Sequence, residues 1–178
     1  HLDAAHSLYE RADNLTDRLA ALRWITHYEE VEKREAVLAD FYSRWRHEAL
    51  VVNQWLTVQA TRPDVDCVES VRALMTHPAF DWRNPNKLRA LIGAFAGANP
   101  IAFHREDGAG YRLMGEVIER LQASNPQIAA RMLAPITRWR RYAVGQEAMR
   151  AELERLAAID PLPKDVFEVV TKALAEPS

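Results

Sequence analysis

Apolar residues recur along this chain at intervals of three and four, the spacing that places side chains on one face of an α-helix. Leu15, Leu19, Leu22 and Ile25 form one such stripe. Val37, Phe41, Trp45, Val52 and Trp55 carry a second across a longer stretch, and Leu113, Val117 and Leu121 a third. Met149, Leu153 and Leu156, then Val166, Val170 and Leu174, supply the last two. No segment of useful length alternates with period two, so the pattern predicts helices and no strands.

Proline and glycine mark where these helices start and stop. Asn-Pro occurs at Asn84, Asn99 and Asn125. The asparagine side chain can accept from a free N–H of the first turn, and proline, having no N–H to satisfy, suits the first helical position. Each pair therefore predicts a helix N-terminus. Arg62-Pro63, His77-Pro78 and Asp160-Pro161 lie where stripes end, and Gly108 with Gly110 opens the helix that carries Tyr111. About eight helices with short connections result. Short links favour antiparallel neighbours, stacked as a bundle or as a solenoid, and no clean repeat of about 34 or 40 residues separates the two.

Composition narrows the class. With 178 residues, 48% hydrophobic and 27% charged, the chain has the size and balance of a single globular domain over 1–178. No apolar run approaches the roughly 18 residues that span a bilayer, and no basic-then-apolar signal opens the chain. A net charge of -2 gives no electrostatic reason to expect nucleic acid or an anionic membrane as partner. The single cysteine, Cys67, excludes an internal disulfide framework and a multi-thiolate metal site, and suits a reducing cytoplasm. The first residue is His1, with no methionine, so the chain is expected to be excised from something longer.

Candidate chemistry is sparse. A zinc-peptidase helix needs two histidines one turn apart around a glutamate, H-E-x-x-H. His47 to Val51 reads H-E-A-L-V, and Val51 cannot ligate zinc, so the segment is expected to be a partly exposed helix surface. Cys67, ahead of Val68, Val71 and Leu74, reads as a packed helix residue. Gly93 and Gly97, in L-I-G-A-F-A-G, predict close helix packing or a helix end. The five tryptophans fall mostly on core stripes, and Arg138, Arg140 and Arg141 read as cations near a helix C-terminus. Gln127 and Arg131 stand one turn apart on the helix that Asn125 and Pro126 begin, which on the residues alone is a solvated face. Arg89 reads as covering the helix surface beside Leu88 and Ile92.

One run carries more information than all of these. Asn84 to Tyr111, N-P-N-K-L-R-A-L-I-G-A-F-A-G-A-N-P-I-A-F-H-R-E-D-G-A-G-Y, closely resembles the C-terminal domain of the bacterial aminopeptidase N family, gluzincin metallopeptidases of the M1 class. A-D-N-L-T-D-R-L-A-A-L at Ala12 to Leu22, N-P-Q-I-A-A-R at Asn125 to Arg131, R-R-Y at Arg140 to Tyr142 and T-K-A-L-A at Thr171 to Ala175 extend the resemblance over essentially the whole chain. It implies an all-α fold, a superhelical array of paired antiparallel helices similar to HEAT or armadillo repeats. It also implies a cytoplasmic parent enzyme that removes N-terminal residues from peptides, with zinc held in a catalytic domain outside this chain and no cofactor within it.

By resemblance, this domain closes over the catalytic domain of the same polypeptide, limits access to the active-site cavity and contributes side chains to its wall. Gln127 and Arg131 match family residues of the substrate pocket, and Arg89 matches a family arginine of the same cavity. Their chemistry suits peptides, since an amide can bond a substrate side chain and a guanidinium a carboxylate or carbonyl. The competing reading is an independent helical-repeat adaptor that binds a protein partner on a concave face.

Overall fold

A computed structural model describes residues 1–175 of the chain; the last three residues of the expected 1–178 domain lie outside the described residues. Internal contacts divide the chain into two compact units, His1–Phe95 and Ala96–Ser178.

The first unit opens with α1 (Leu2–Arg11) and α2 (Leu15–Tyr28), packed on each other across a short link that reverses the chain. Asn14 starts α2 by accepting from the N–H of Asp17 at 2.9 Å. Then follow α3 (Val31–Trp45), α4 (Ala49–Ala60) and α5 (Cys67–Leu74), each packed on its predecessor. Leu22, Ile25, Phe41, Leu56 and Val71 are wholly buried between them. The indole N–H of Trp55 donates to the carbonyl of Leu38 at 3.0 Å. A short α6 (Pro85–Leu88) leads into a π-helical segment, Arg89–Gly93, and α7 (Ala94–Ala98) runs across the unit boundary. In the widened π turn the carbonyl of Ala90 accepts from the hydroxyl of Thr57 on α4 at 2.9 Å.

The second unit comprises α8 (Pro100–Phe103), α9 (Ala109–Gln122), α10 (Pro126–Met132), α11 (Ala134–Thr137), a 3-10 turn at Trp139–Arg141, α12 (Gln146–Ala157) and α13 (Lys164–Leu174). α9 packs on α10 and α12, and α13 packs on the same two helices. Leu113, Val117, Leu121, Met149, Leu153, Leu156, Val166 and Val170 are wholly buried there, so two of the predicted stripes are core throughout and the last is core up to Leu174, which is half-buried. Gly110 lets α9 meet α8: a Cβ on it would stand 2.2 Å from the carbonyl oxygen of Phe103. Gly115 does the same toward α12, where a Cβ would meet a carboxylate oxygen of Glu152 at 2.2 Å.

All three Asn-Pro pairs start helices. Asn84 accepts from Asn86 N–H at 2.9 Å, Asn99 from Ala102 N–H at 3.2 Å and Asn125 from Ile128 N–H at 3.2 Å. Among the described residues eight helices reach eight residues or more, α1 to α5, α9, α12 and α13, in line with the about eight predicted. The shorter ones carry no stripe long enough to be read. No strand occurs among the described residues.

Four expectations need correction. The long stripe from Val37 to Trp55 is two helices, because Trp45 and Val52 are seven residues apart and that spacing fits a continuous helix as well as a broken one. On α3 the buried face is Arg34, Leu38 and Phe41, with Val37 half-buried. Of the two readings of Gly93 and Gly97, close packing fails, since a Cβ at Gly93 would make only ordinary contact with its own helix and one at Gly97 would meet nothing within 4 Å, whereas the helix-end reading fits: Gly93 closes the π segment and Gly97 is next to last in α7. Trp24 lies outside the core, 46% exposed against the ring of Tyr28.

Candidate functional site

Gln127 and Arg131 are both exposed on α10 and stand one turn apart, as the Asn125 cap and Pro126 require. The opposite side of the same segment anchors it, since Ala129 and Leu133 are wholly buried. Among the described residues neither Gln127 nor Arg131 has a hydrogen-bond or ion-pair partner, so an amide and a guanidinium project unengaged from one rigid helical face. Together they offer two kinds of donor and one acceptor to a ligand.

Arg89 belongs to the first unit. It is exposed at the start of the π segment, where its Nη1 donates to Asn86 Oδ1 at 3.0 Å. Gln127 and Arg131 thus share one face of α10, and Arg89, within its own unit, is held on one edge of its fork by an asparagine of its own turn.

The His-Glu dipeptide does not lie on a helix surface. His47 is in the turn after α3 and Glu48 is the residue that precedes α4, its carbonyl accepting from Val52 N–H at 3.0 Å. Val51 is buried, and these residues do not fit a zinc ion. Among the described residues no group of three or more His, Cys, Asp or Glu side chains could hold a metal. Cys67 is wholly buried and its thiol donates to the carbonyl of Gln59 at 3.2 Å, a packed helix residue as expected. No helix of the described residues is long and apolar enough to cross a membrane.

Several titratable groups are shifted. Burial lowers His77 and His104 below the ordinary imidazole value of 6.5. His77 accepts the N–H of Ala79 on Nδ1 at 3.0 Å, which fixes its neutral tautomer with the proton on Nε2. His104 Nδ1 lies 2.7 Å from the hydroxyl of Tyr111, and burial raises that phenol. Burial also lowers His27, whose Nε2 donates to the carbonyl of Val58 at 3.1 Å. The hydrogen bonds of these groups are made within the fold.

The arginine cluster does serve a helix C-terminus, but not that of its own segment. Arg140 donates to carbonyls at the end of α13. The sequence pattern gave no role to Arg34 and only a helix end at Arg62, yet both guanidinium side chains are nearly buried in the first unit. The signal for Arg34 was its spacing of four and seven from Leu38 and Phe41, which places a guanidinium on an apolar stripe.

Residues 1–175 match a domain family described as DUF3458_C, a domain of unknown function with ARM repeats. The chain is 46% identical over 167 residues to aminopeptidase N of Haemophilus influenzae, covering 93% of this chain and 19% of that protein. It is 44% identical over 168 residues to aminopeptidase N of Escherichia coli, covering 94% and 19%. Among solved structures it is similar to Legionella pneumophila aminopeptidase A in complex with aspartic acid, with a TM-score of 0.91 and 32% identity over 97% of this chain and 20% of that one. The chain thus spans about a fifth of the length of the proteins it matches, and it belongs to the DUF3458_C ARM-repeat domain family, similar to the C-terminal domain of bacterial aminopeptidase N.

Proposed function

We propose that this chain is the non-catalytic C-terminal domain of a cytoplasmic zinc aminopeptidase that removes N-terminal amino acids from peptides. Its part is to close over the catalytic domain of the same polypeptide, restrict access to the active-site cavity and furnish side chains to the substrate pocket. The observation that carries the reading is 46% identity to an aminopeptidase N over 93% of the chain. Zinc bound by the catalytic domain supplies a water activated for attack on a peptide carbonyl. The chain's own residues act on the substrate: Gln127 offers an amide and Arg131 a fixed positive charge from one face of α10. Arg89 is a third pocket residue in this reading.

Docking on the catalytic domain requires apolar surface on this chain. Leu8, Trp24 and Tyr28, on α1 and α2, are 41%, 46% and 57% exposed and offer it.

The test compares the isolated chain with the full-length polypeptide. The full-length protein is expected to release N-terminal amino acids in a chelator-sensitive way, while the isolated chain folds as a helical domain, releases none and carries no stoichiometric zinc. One tightly bound zinc per isolated chain, or chelator-sensitive peptidase activity from it, overturns the proposal. A coding sequence that does not continue upstream of His1 into an H-E-x-x-H segment would favour the adaptor reading instead.

A further inference from the structure

We propose that α2, α3, α4 and α5 of the first unit form a binding site for a small oxyanion, with the guanidinium of Arg34 and the hydroxyl of Thr26 as its unfilled donors. The site is independent of the peptidase reading and of the residues on α10.

Arg34 is 9% exposed and stands on the buried face of α3 with Leu38 and Phe41. A guanidinium has five N–H donors and keeps its charge at any ordinary pH, so burial without acceptors is costly. The acceptors it has are poor. Nη1 reaches the carbonyl of Glu29 at 3.5 Å, the limit of a hydrogen bond, and Nε stands 3.6 Å from a carboxylate oxygen of Glu35, whose side chain is 61% exposed. Nε is buried with no hydrogen-bond partner. So is the hydroxyl of Thr26, a residue 1% exposed, although a helical threonine commonly bonds the carbonyl one turn back.

Both unfilled donors line one cavity of about 190 Å³, with Arg62, Ser70, Gln59 and Glu35 also in its wall. Arg62, 5% exposed, is already engaged: Nε pairs with Asp64 at 2.9 Å and Nη2 donates to Ser70 Oγ at 3.0 Å. That last bond matters, because a hydroxyl that accepts from a guanidinium keeps its own O–H to donate elsewhere. Arg62 is thus balanced by Asp64, whereas Arg34 has only the exposed carboxylate of Glu35 at 3.6 Å, beyond hydrogen-bond reach. A water could fill the hydrogen bonds, but an oxyanion also sets a full negative charge against the buried guanidinium of Arg34. The adjoining depression shares Glu35, Leu38, Gln59 and Leu74, measures about 330 Å³ and is faced by Tyr42, Trp55 and His77. It gives room for an apolar body behind an anionic head.

The shared chemistry is an oxyanion, and two sources are distinguishable: inorganic phosphate, and an organic carboxylate, for which benzoate is the probe. Hydrogen–deuterium exchange on the full-length polypeptide, with each probe titrated against chloride at equal ionic strength, reads the site locally. Saturable slowing of exchange within 22–38 and 59–74 is expected for at least one probe. Tighter binding of benzoate assigns the carboxylate source and the aromatic depression, whereas binding of phosphate alone assigns the inorganic one. Arg34→Lys, which keeps the charge and loses the planar fork, should weaken that titration about tenfold. Thr26→Val, of the same shape without the hydroxyl, should weaken it about fivefold and remains informative if the arginine variant does not fold. No slowing in these segments beyond that caused by chloride overturns the proposal, as does Thr26→Val binding as tightly as the unsubstituted protein.

Discussion

The guanidinium of Arg140 donates through Nη1 to the carbonyl oxygen of Ala173 at 2.6 Å, and the indole N–H of Trp139 donates to that same oxygen at 3.0 Å. Nη2 of Arg140 reaches the carbonyls of Leu174 at 3.3 Å and Ala175 at 2.7 Å, while the guanidinium lies 4.1 Å from the ring centre of Trp139. The last carbonyls of a helix lack donors of their own, and a cation is favoured where they gather. Residues some thirty positions earlier in the chain therefore close the end of α13.

Arg140→Ala is accordingly expected to cost about 1 to 2 kcal/mol, a range that allows for the exposure of this side chain. Denaturant unfolding measures the loss. Amide exchange in α13 should speed up at its C-terminal turn first, and Arg140→Lys should restore less than half the loss, because an ammonium cannot bridge three carbonyls as a fork does. Unchanged exchange in α13 would show that the carbonyls are equally well served by water.

Two glycines in helices should respond to the same substitution in opposite ways. A Cβ at Gly110 would stand 2.2 Å from the backbone oxygen of Phe103, which cannot yield without moving α8, so Gly110→Ala is expected to cost about 3 kcal/mol or more. Nothing lies within 4 Å of a Cβ at Gly97 in α7, and Gly97→Ala is expected to stabilise by about 0.5 to 1 kcal/mol through the loss of unfolded-state freedom. Thermal or denaturant melts of the two variants check the contrast.

What the sequence disclosed follows from the range of each interaction. The caps at Asn84, Asn99 and Asn125 were legible because donor and acceptor lie within three residues, and so was the shared face of Gln127 and Arg131. Gly115 was not, because its reason is Glu152 on another helix, and the break between α3 and α4 was hidden by a seven-residue spacing that suits one helix or two. Arg34 was missed because charge was read as solvation although its spacing put it on the buried face. The role proposed for Gln127 and Arg131 rests on family resemblance alone, since an exposed amide and guanidinium look the same on any helix.

Stability should fall with pH in two windows. His77, His104 and His27 are held below 6.5 by burial, so the unfolded chain takes up protons more readily than the folded one as pH drops through 6.5 toward the folded-state values. The contribution is full above that window and lost within it. Asp107 is held at about 2, against an ordinary 3.8, first by its hydrogen bond from Arg105 and then by the N–H of Ala109, so its stabilisation persists above 3.8 and is lost as pH falls toward about 2. The urea midpoint is expected to drop already between pH about 7.5 and about 5.5, before carboxylates titrate. His77→Asn, whose amide oxygen can still accept from Ala79 N–H but does not titrate, should flatten the upper window. A midpoint that is level across that window would show that the histidines charge without cost.

Gln127 and Arg131 are expected to act on substrate selection and not on the chemical step. They stand one turn apart on an exposed face with no partner among the described residues, so both are free to line one wall of the cavity proposed to form with the catalytic domain. Neither can serve as a proton-transfer base near neutral pH, since an amide does not titrate and an arginine stays protonated. Their removal should weaken ground state and transition state alike, which raises KM or alters side-chain preference while kcat falls much less. Losing one or two substrate hydrogen bonds is worth about 1 to 3 kcal/mol, or roughly a factor of 5 to 150 in kcat/KM for the substrates that use them. Kinetics of Gln127→Ala and Arg131→Ala in the full-length polypeptide, across peptides with different first residues, measure the effect. Arg89→Ala in the same series tests the proposed third pocket residue, and because Arg89 is already bonded to Asn86 its loss should change KM less than that of Arg131. Unchanged KM and unchanged preference for every substrate would return all three side chains to solvated surface.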